Sequence, residues 1–169
     1  GGVGDSARYR TEHVAEALRK QGWSVATTVQ DNPFLSTYGS QFSVFIFHRV
    51  LYTPSVATLI ERIKKEGKEI IFETDDLVYD PAYLQHMDYF TQMNALERKL
   101  YEHGVGGEIL ADSYVTTCTT STEYLAEKLR EKNKQVFVVR NRLSTEDVRN
   151  AEVIRETTKK DEGLVRIAY

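Results

Sequence analysis

The sequence predicts an α/β fold, a doubly wound, Rossmann-like parallel sheet, and three observations predict it. Runs such as Ser43–Val44–Phe45–Ile46–Phe47 and Ile70–Ile71–Phe72 are too continuously apolar to be half exposed, and they suit a sheet covered on both faces. Segments of helical period alternate with these runs, which indicates right-handed crossovers. Polar residues follow the runs, where open parallel sheets bind their ligands.

The elements follow in order. Gly1 to Gly4 form a glycine-rich loop that opens a helix over residues 6–21, with Asp5 or Ser6 as cap, Val14 and Leu18 on its apolar face, and Gly22 as its stop. Residues 23–29 read as a strand, and residues 43–47 as the next. Pro54 begins a helix at a position that tolerates proline, with Val56, Leu59, Ile60 and Ile63 as its buried stripe and Gly67 at its end. The strand at Ile70 runs into Glu73–Thr74–Asp75–Asp76. A long helical stretch carrying Tyr89, Met93, Leu96 and Leu100 follows, broken by Gly104, Gly106 and Gly107. Residues 114–118 are a strand, and Thr120 with Glu123 forms a capping box for the next helix. Residues 136–139 are a strand ending in Arg140–Asn141.

The expected division is 1–141 for the Rossmann-like domain, 142–163 for a charged helical linker, and 164–169 for the start of a second α/β domain. A glycine loop that opens a helix normally follows a strand, so the first strand of the domain is expected to precede Gly1.

Composition narrows the function classes. The 22 basic and 25 acidic residues are intermixed, so no basic face capable of tracking a nucleic-acid backbone is visible. Cys118 is the one cysteine, which excludes an internal disulfide and fits a reducing, cytoplasmic setting. No apolar run approaches the roughly 18 residues of a membrane span, so membrane contact is expected to be peripheral at most.

The strand ends nominate the site. The glycine loop (Gly1, Gly2, Val3, Gly4) allows backbone N–H groups to approach a phosphate, and the helix behind it adds the positive end of its dipole. His48 and Arg49, Glu73 to Asp76, Thr119 to Ser121, and Arg140 with Asn141 stand at the other tips. Adjacent carboxylates without a third ligand make a poor hard-cation site, and the histidines lack zinc spacing, so no metal is expected. His86, in a loop after Pro81, is a lesser candidate. Gly2, Gly4 and Ala7 also fit G-x-G-x-x-A, with Asp31 after the next strand, which supports an NAD-type oxidoreductase domain as the alternative. A non-catalytic anion-binding module on the same fold is the third reading.

Four passages carry a resemblance over nearly the whole chain: Gly1–Gly2–Val3–Gly4 with Tyr9–Arg10, the run from Ile71 to Val78, the run from Thr119 to Leu125, and Val138–Val139–Arg140–Asn141. Together they resemble the amino-terminal domain of a GT-B glycosyltransferase in the large retaining family often described as "group 1". The resemblance implies one half of a two-domain enzyme that moves a sugar from a nucleotide-diphosphate donor to the hydroxyl of a carbohydrate or of a glycan- or lipid-linked acceptor. It implies no cofactor and no metal. The glycine loop would meet the donor diphosphate. Arg10, Arg49, Thr119, Ser121 and Asn141 would face the acceptor, and His48, Asp75 and Asp76 are the catalytic candidates. The absent carboxy-terminal domain would hold the nucleotide sugar, so the fragment alone is expected to be inactive. Arg142 stands where the family commonly has glycine after the asparagine.

Overall fold

The computed structural model describes residues 5–84, 86 and 88–157. The glycine loop and the expected start of a second domain lie outside the described residues. The described chain is a Rossmann-like α/β fold, a four-stranded, all-parallel sheet flanked by helices.

Helical backbone runs from Asp5–Ala7 through a π-helical turn at Arg8–Glu12 into His13–Lys20, together α1. The strands are β1 (Val44–His48), β2 (Glu69–Thr74), β3 (Thr117–Thr120) and β4 (Gln135–Val138). Between them lie α2 (Pro54–Lys65), three short helices α3 (Pro81–Leu84), α4 (Asp88–Gln92) and α5 (Ala95–Leu100), then α6 (Gly107–Ala111) and α7 (Glu123–Arg130). The last helix, α8, is Thr145–Thr157.

The strands lie in chain order, β1-β2-β3-β4, with no reversal among the described residues. Register places Ile46, Ile71, Thr117 and Gln135 in one row, and His48, Glu73, Thr119 and Phe137 in the next row on the same face. The opposite face is the core side. Phe47, Ile70, Phe72 and Cys118 pack there against Val56, Leu59, Ile60 and Ile63 of α2, Leu129 of α7, and Ile109 of α6. On the row-forming face Val44 and Ile46 remain 49% exposed, and α1 reaches only its carboxyl end through Ser6 and Arg10.

Five expectations are corrected. Residues 23–29 form no strand. Trp23 is 65% exposed and Val29 also faces solvent, since strand propensity without a ladder partner fixes no strand. The strand expected at 114–118 is displaced to Thr117–Thr120, because the Asp112 side chain accepts from the Tyr114 N–H at 2.9 Å and its carbonyl from Val115 at 3.1 Å, holding a turn. The cap of α7 is Thr122, which accepts from the Leu125 N–H at 3.3 Å. Thr120 is instead buried in β3 and donates to the Thr74 carbonyl at 2.7 Å. The long helix becomes α3 to α5, with Met93 and Asn94 outside helical backbone between α4 and α5. Ser6 is not a cap, because its hydroxyl is spent on the strand tips.

Gly104 joins this architecture to the loop after β2. It has φ +80, and a Cβ there would stand 2.2 Å from the Tyr79 carbonyl oxygen. Gly22, at φ +88, has open space around it. Gly104→Ala is therefore expected to cost about 3 kcal/mol and Gly22→Ala about 1 kcal/mol, read as shifts in urea midpoint. Equal costs would show that backbone conformation alone, without the contact at Tyr79, sets the requirement for glycine.

Candidate functional site

The carboxyl rim of the sheet carries two chains of hydrogen bonds, which meet at the row His48–Glu73–Thr119. The Glu73 carboxylate, buried in β2, accepts from Arg10 Nε at 2.8 Å through Oε1 and from the Thr119 hydroxyl through Oε2. The same guanidinium donates to the Val139 carbonyl and, at 3.0 Å, to Asn141 Oδ1. Arg10 lies within the π-helical turn of α1, a local widening frequent at functional positions. One side chain thus ties α1 to β2 and to the chain leaving β4.

A second chain of bonds begins at β1. Ser6 donates its hydroxyl proton to Asp75 Oδ2 at 2.6 Å, so at 3.1 Å from His48 Nε2 it accepts, and Nε2 carries the hydrogen. In a nucleophilic triad the imidazole lies between serine and carboxylate. Here the serine lies between the other two, so Ser6 is a bridge. His48 Nδ1 is buried without a hydrogen-bond partner among the described residues, 3.9 Å from Glu73 Oε1.

Arg49 closes the rim. Its backbone has φ 47, an unusual conformation for a non-glycine residue, and its guanidinium donates to Asp75 at 2.7 Å and to Asp76 at 3.2 Å. Asp76 Oδ1 also accepts from the Leu77 N–H at 2.6 Å, and the Thr74 hydroxyl donates to the Asp76 carbonyl at 2.6 Å. The two aspartates are fixed in one geometry.

Electrostatics follow from burial and these partners. Burial, reinforced by Arg49 and Arg10 against the opposing charge of Asp75, pushes His48 down to about 4 and keeps it neutral. Burial raises Glu73 above the usual carboxylate range despite Arg10 and Thr119. Burial pulls Asp75 upward too, but the Ser6 hydroxyl and the Arg49 guanidinium outweigh it and leave Asp75 lowered. Burial likewise pushes the Cys118 thiol up to about 12, as befits an inert core residue.

Of the residues nominated from the sequence, Arg10, His48, Arg49, Asp75, Asp76, Thr119 and Asn141 are brought to this rim. Ser121 lies half-buried just beyond β3, and Arg140 is exposed beyond β4. Gly1, Gly2, Val3 and Gly4 are outside the described residues. Arg10 is buried and Thr119 half-buried, and both donate to the Glu73 carboxylate. His86 is exposed between the short helices, and Asp31 is exposed in a turn with no strand before it. One member was missed as a site residue, Ser6, whose cap-like position disguised it, while Glu73 was named at a strand tip without a role. No group of three or more His, Cys, Asp or Glu side chains that could hold a metal ion occurs among the described residues, and no described helix is long and apolar enough to cross a membrane. Comparison with family models, with curated proteins and with solved structures finds no match to this chain.

Proposed function

We propose that this chain is the acceptor-side half of a retaining glycosyltransferase that uses a nucleotide-diphosphate sugar. The observation that carries the reading is the rim itself. The second helical residue of α1, Ser6, touches both His48 and Asp75, so the amino-terminal end of the helix points at the polar strand tips. That end offers unsatisfied N–H groups and the positive pole of the helix dipole, which stabilise a departing phosphate without a metal. The rim cations are engaged by carboxylates, Arg10 by Glu73 and Arg49 by Asp75 and Asp76, which leaves anion stabilisation to the backbone.

Within this reading Asp76 and Asn141, the exposed members, orient the acceptor hydroxyl, while Arg49 holds Asp76 and Arg10 holds Asn141. Among the described residues no serine or carboxylate at the rim is set up as a nucleophile, in keeping with a transfer that forms no covalent link to this half. The dinucleotide alternative requires an acid at a strand end, and the exposed turn at Asp31 does not favour it.

The test is a donor screen on protein that continues past Tyr169 into the second α/β domain. Sugar transfer is expected there, with Gly4→Trp lowering it about a hundredfold or more. The 169-residue chain alone is expected to transfer none. Turnover by the chain alone, or no transfer by the longer protein from any nucleotide-diphosphate sugar, would overturn the proposal.

A further inference from the structure

A serine at the start of a helix ordinarily turns its hydroxyl back onto the helix's own N–H groups. Ser6, half-buried in the first turn of α1, instead reaches across to the strand tips, between His48 Nε2 at 3.1 Å and Asp75 Oδ2 at 2.6 Å. A hydroxyl carries one hydrogen and rotates until a donor occupies its lone pair. The buried His48 ring supplies that donor from β1, so the Ser6 hydrogen is aimed at Asp75 before any ligand arrives.

From Asp75 the bonds run on to the surface. Asp75 Oδ1 accepts from Arg49 Nε at 2.7 Å, and Arg49 Nη2 donates to Asp76 Oδ2 at 3.2 Å. Side-chain exposure rises along this path, from 14% at Asp75 through 28% at Arg49 to 53% at Asp76, so Asp76 is the carboxylate open to a substrate. Its Oδ1 is already taken by the Leu77 N–H at 2.6 Å, which leaves Arg49 to set where Oδ2 points. Arg49 in turn is oriented by Asp75, and Asp75 by Ser6.

We infer that Ser6 is a positioning residue for the acceptor: through Asp75 and Arg49 it sets the Asp76 carboxylate from the start of α1. The inference deepens the glycosyltransferase reading and rests on it, since that reading puts the donor diphosphate at the start of α1 and the acceptor hydroxyl at Asp76. One hydroxyl then ties the two substrate positions together. Ser6 touches neither substrate; it acts by holding Asp75 where Arg49 can bond both aspartates. Threonine keeps that hydroxyl and alanine removes it.

The positioning is read first without substrate, by NMR of the 169-residue chain. Ser6→Ala should shift and broaden the Arg49 Nε–H and Asp76 carboxyl-carbon signals, and Ser6→Thr should leave them near the wild type. An Asp76 signal unmoved by Ser6→Ala would overturn the inference. Kinetics follow on protein that includes the second α/β domain, with UDP-, GDP- and dTDP-sugars as donors and p-nitrophenyl glycosides as acceptors. Ser6→Ala should raise the acceptor KM about tenfold while the donor KM stays within about twofold, and Ser6→Thr should restore it. Asp76→Asn should raise the acceptor KM likewise, and adding Ser6→Ala to it should change nothing more, because both act at one carboxylate. A merely structural tie would add its effect in that background and would move kcat and both KM values together. Transfer with an unchanged acceptor KM in Ser6→Ala overturns this inference alone. No transfer by the wild type from any of these donors overturns the glycosyltransferase reading, and this inference falls with it.

Discussion

Arg10→Met is expected to destabilise the protein by about 3–5 kcal/mol, the cost of leaving a buried carboxylate without its cation. The side chains of Arg10 and Glu73 are 1% and 3% exposed, so solvent cannot substitute for the lost partner. Thr119 would remain the only donor to Glu73 among the described residues, and the Val139 carbonyl would lose its bond to the guanidinium. For a domain of this size the melting temperature should fall by roughly 10 °C. The double change Arg10→Met with Glu73→Leu should recover much of the loss, since an apolar pair of similar volume commonly matches a buried ion pair. Urea denaturation of the wild type, both single variants and the double variant measures the coupling. A loss under about 1 kcal/mol for Arg10→Met would mean that the buried pair does not hold α1 on the rim, and the site would lose its keystone.

This pairing also marks where the sequence stops being readable. The apolar runs at β1 and β2 and the stripe Val56–Leu59–Ile60–Ile63 are visible because burial imposes a local period, and each is where that period places it. The contact of Arg10 with Glu73 spans 63 positions, and the row His48–Glu73–Thr119 exists only once the β1–β2 and β2–β3 registers are set. No local pattern encodes either. The Thr119–Thr120–Ser121–Thr122 run shows a different limit. Any of these residues can cap a helix, and spacing to Glu123 favours Thr120. The fold instead keeps Thr120 in the strand because the Thr74 carbonyl accepts its hydroxyl, which moves the cap to Thr122. Residues 23–29 fail for the opposite reason. They have strand composition, but with most of their side chains in solvent among the described residues nothing rewards a ladder. Candidate tips could thus be named from the sequence, while their division into inward supports and outward contacts could not.

Acid should expose the same rim. His48 is buried neutral, and its folded value of about 4 lies below the ordinary 6.5. As pH falls below 6.5 the unfolded chain takes up a proton that the native ring refuses, so stability declines through the window from 6.5 to about 4. At about 1.4 kcal/mol per pH unit the fall amounts to about 3 kcal/mol. Two neighbours shape the curve. The raised value of Glu73 works in the opposite sense, because its contribution is present in acid and lost as pH rises through its folded value. Asp75, held below its ordinary 3.8, keeps its stabilising effect until the pH is lower still. The decline is therefore flattened where Glu73 takes up its proton. His48→Phe removes the titrating ring, and its stability between about pH 7 and about pH 5 should vary by roughly 2 kcal/mol less than that of the wild type. Denaturation midpoints across that range separate the cases: parallel curves for the two proteins would mean that His48 exchanges its proton freely with solvent, and the Ser6–His48–Asp75 bridge would then be open in solution.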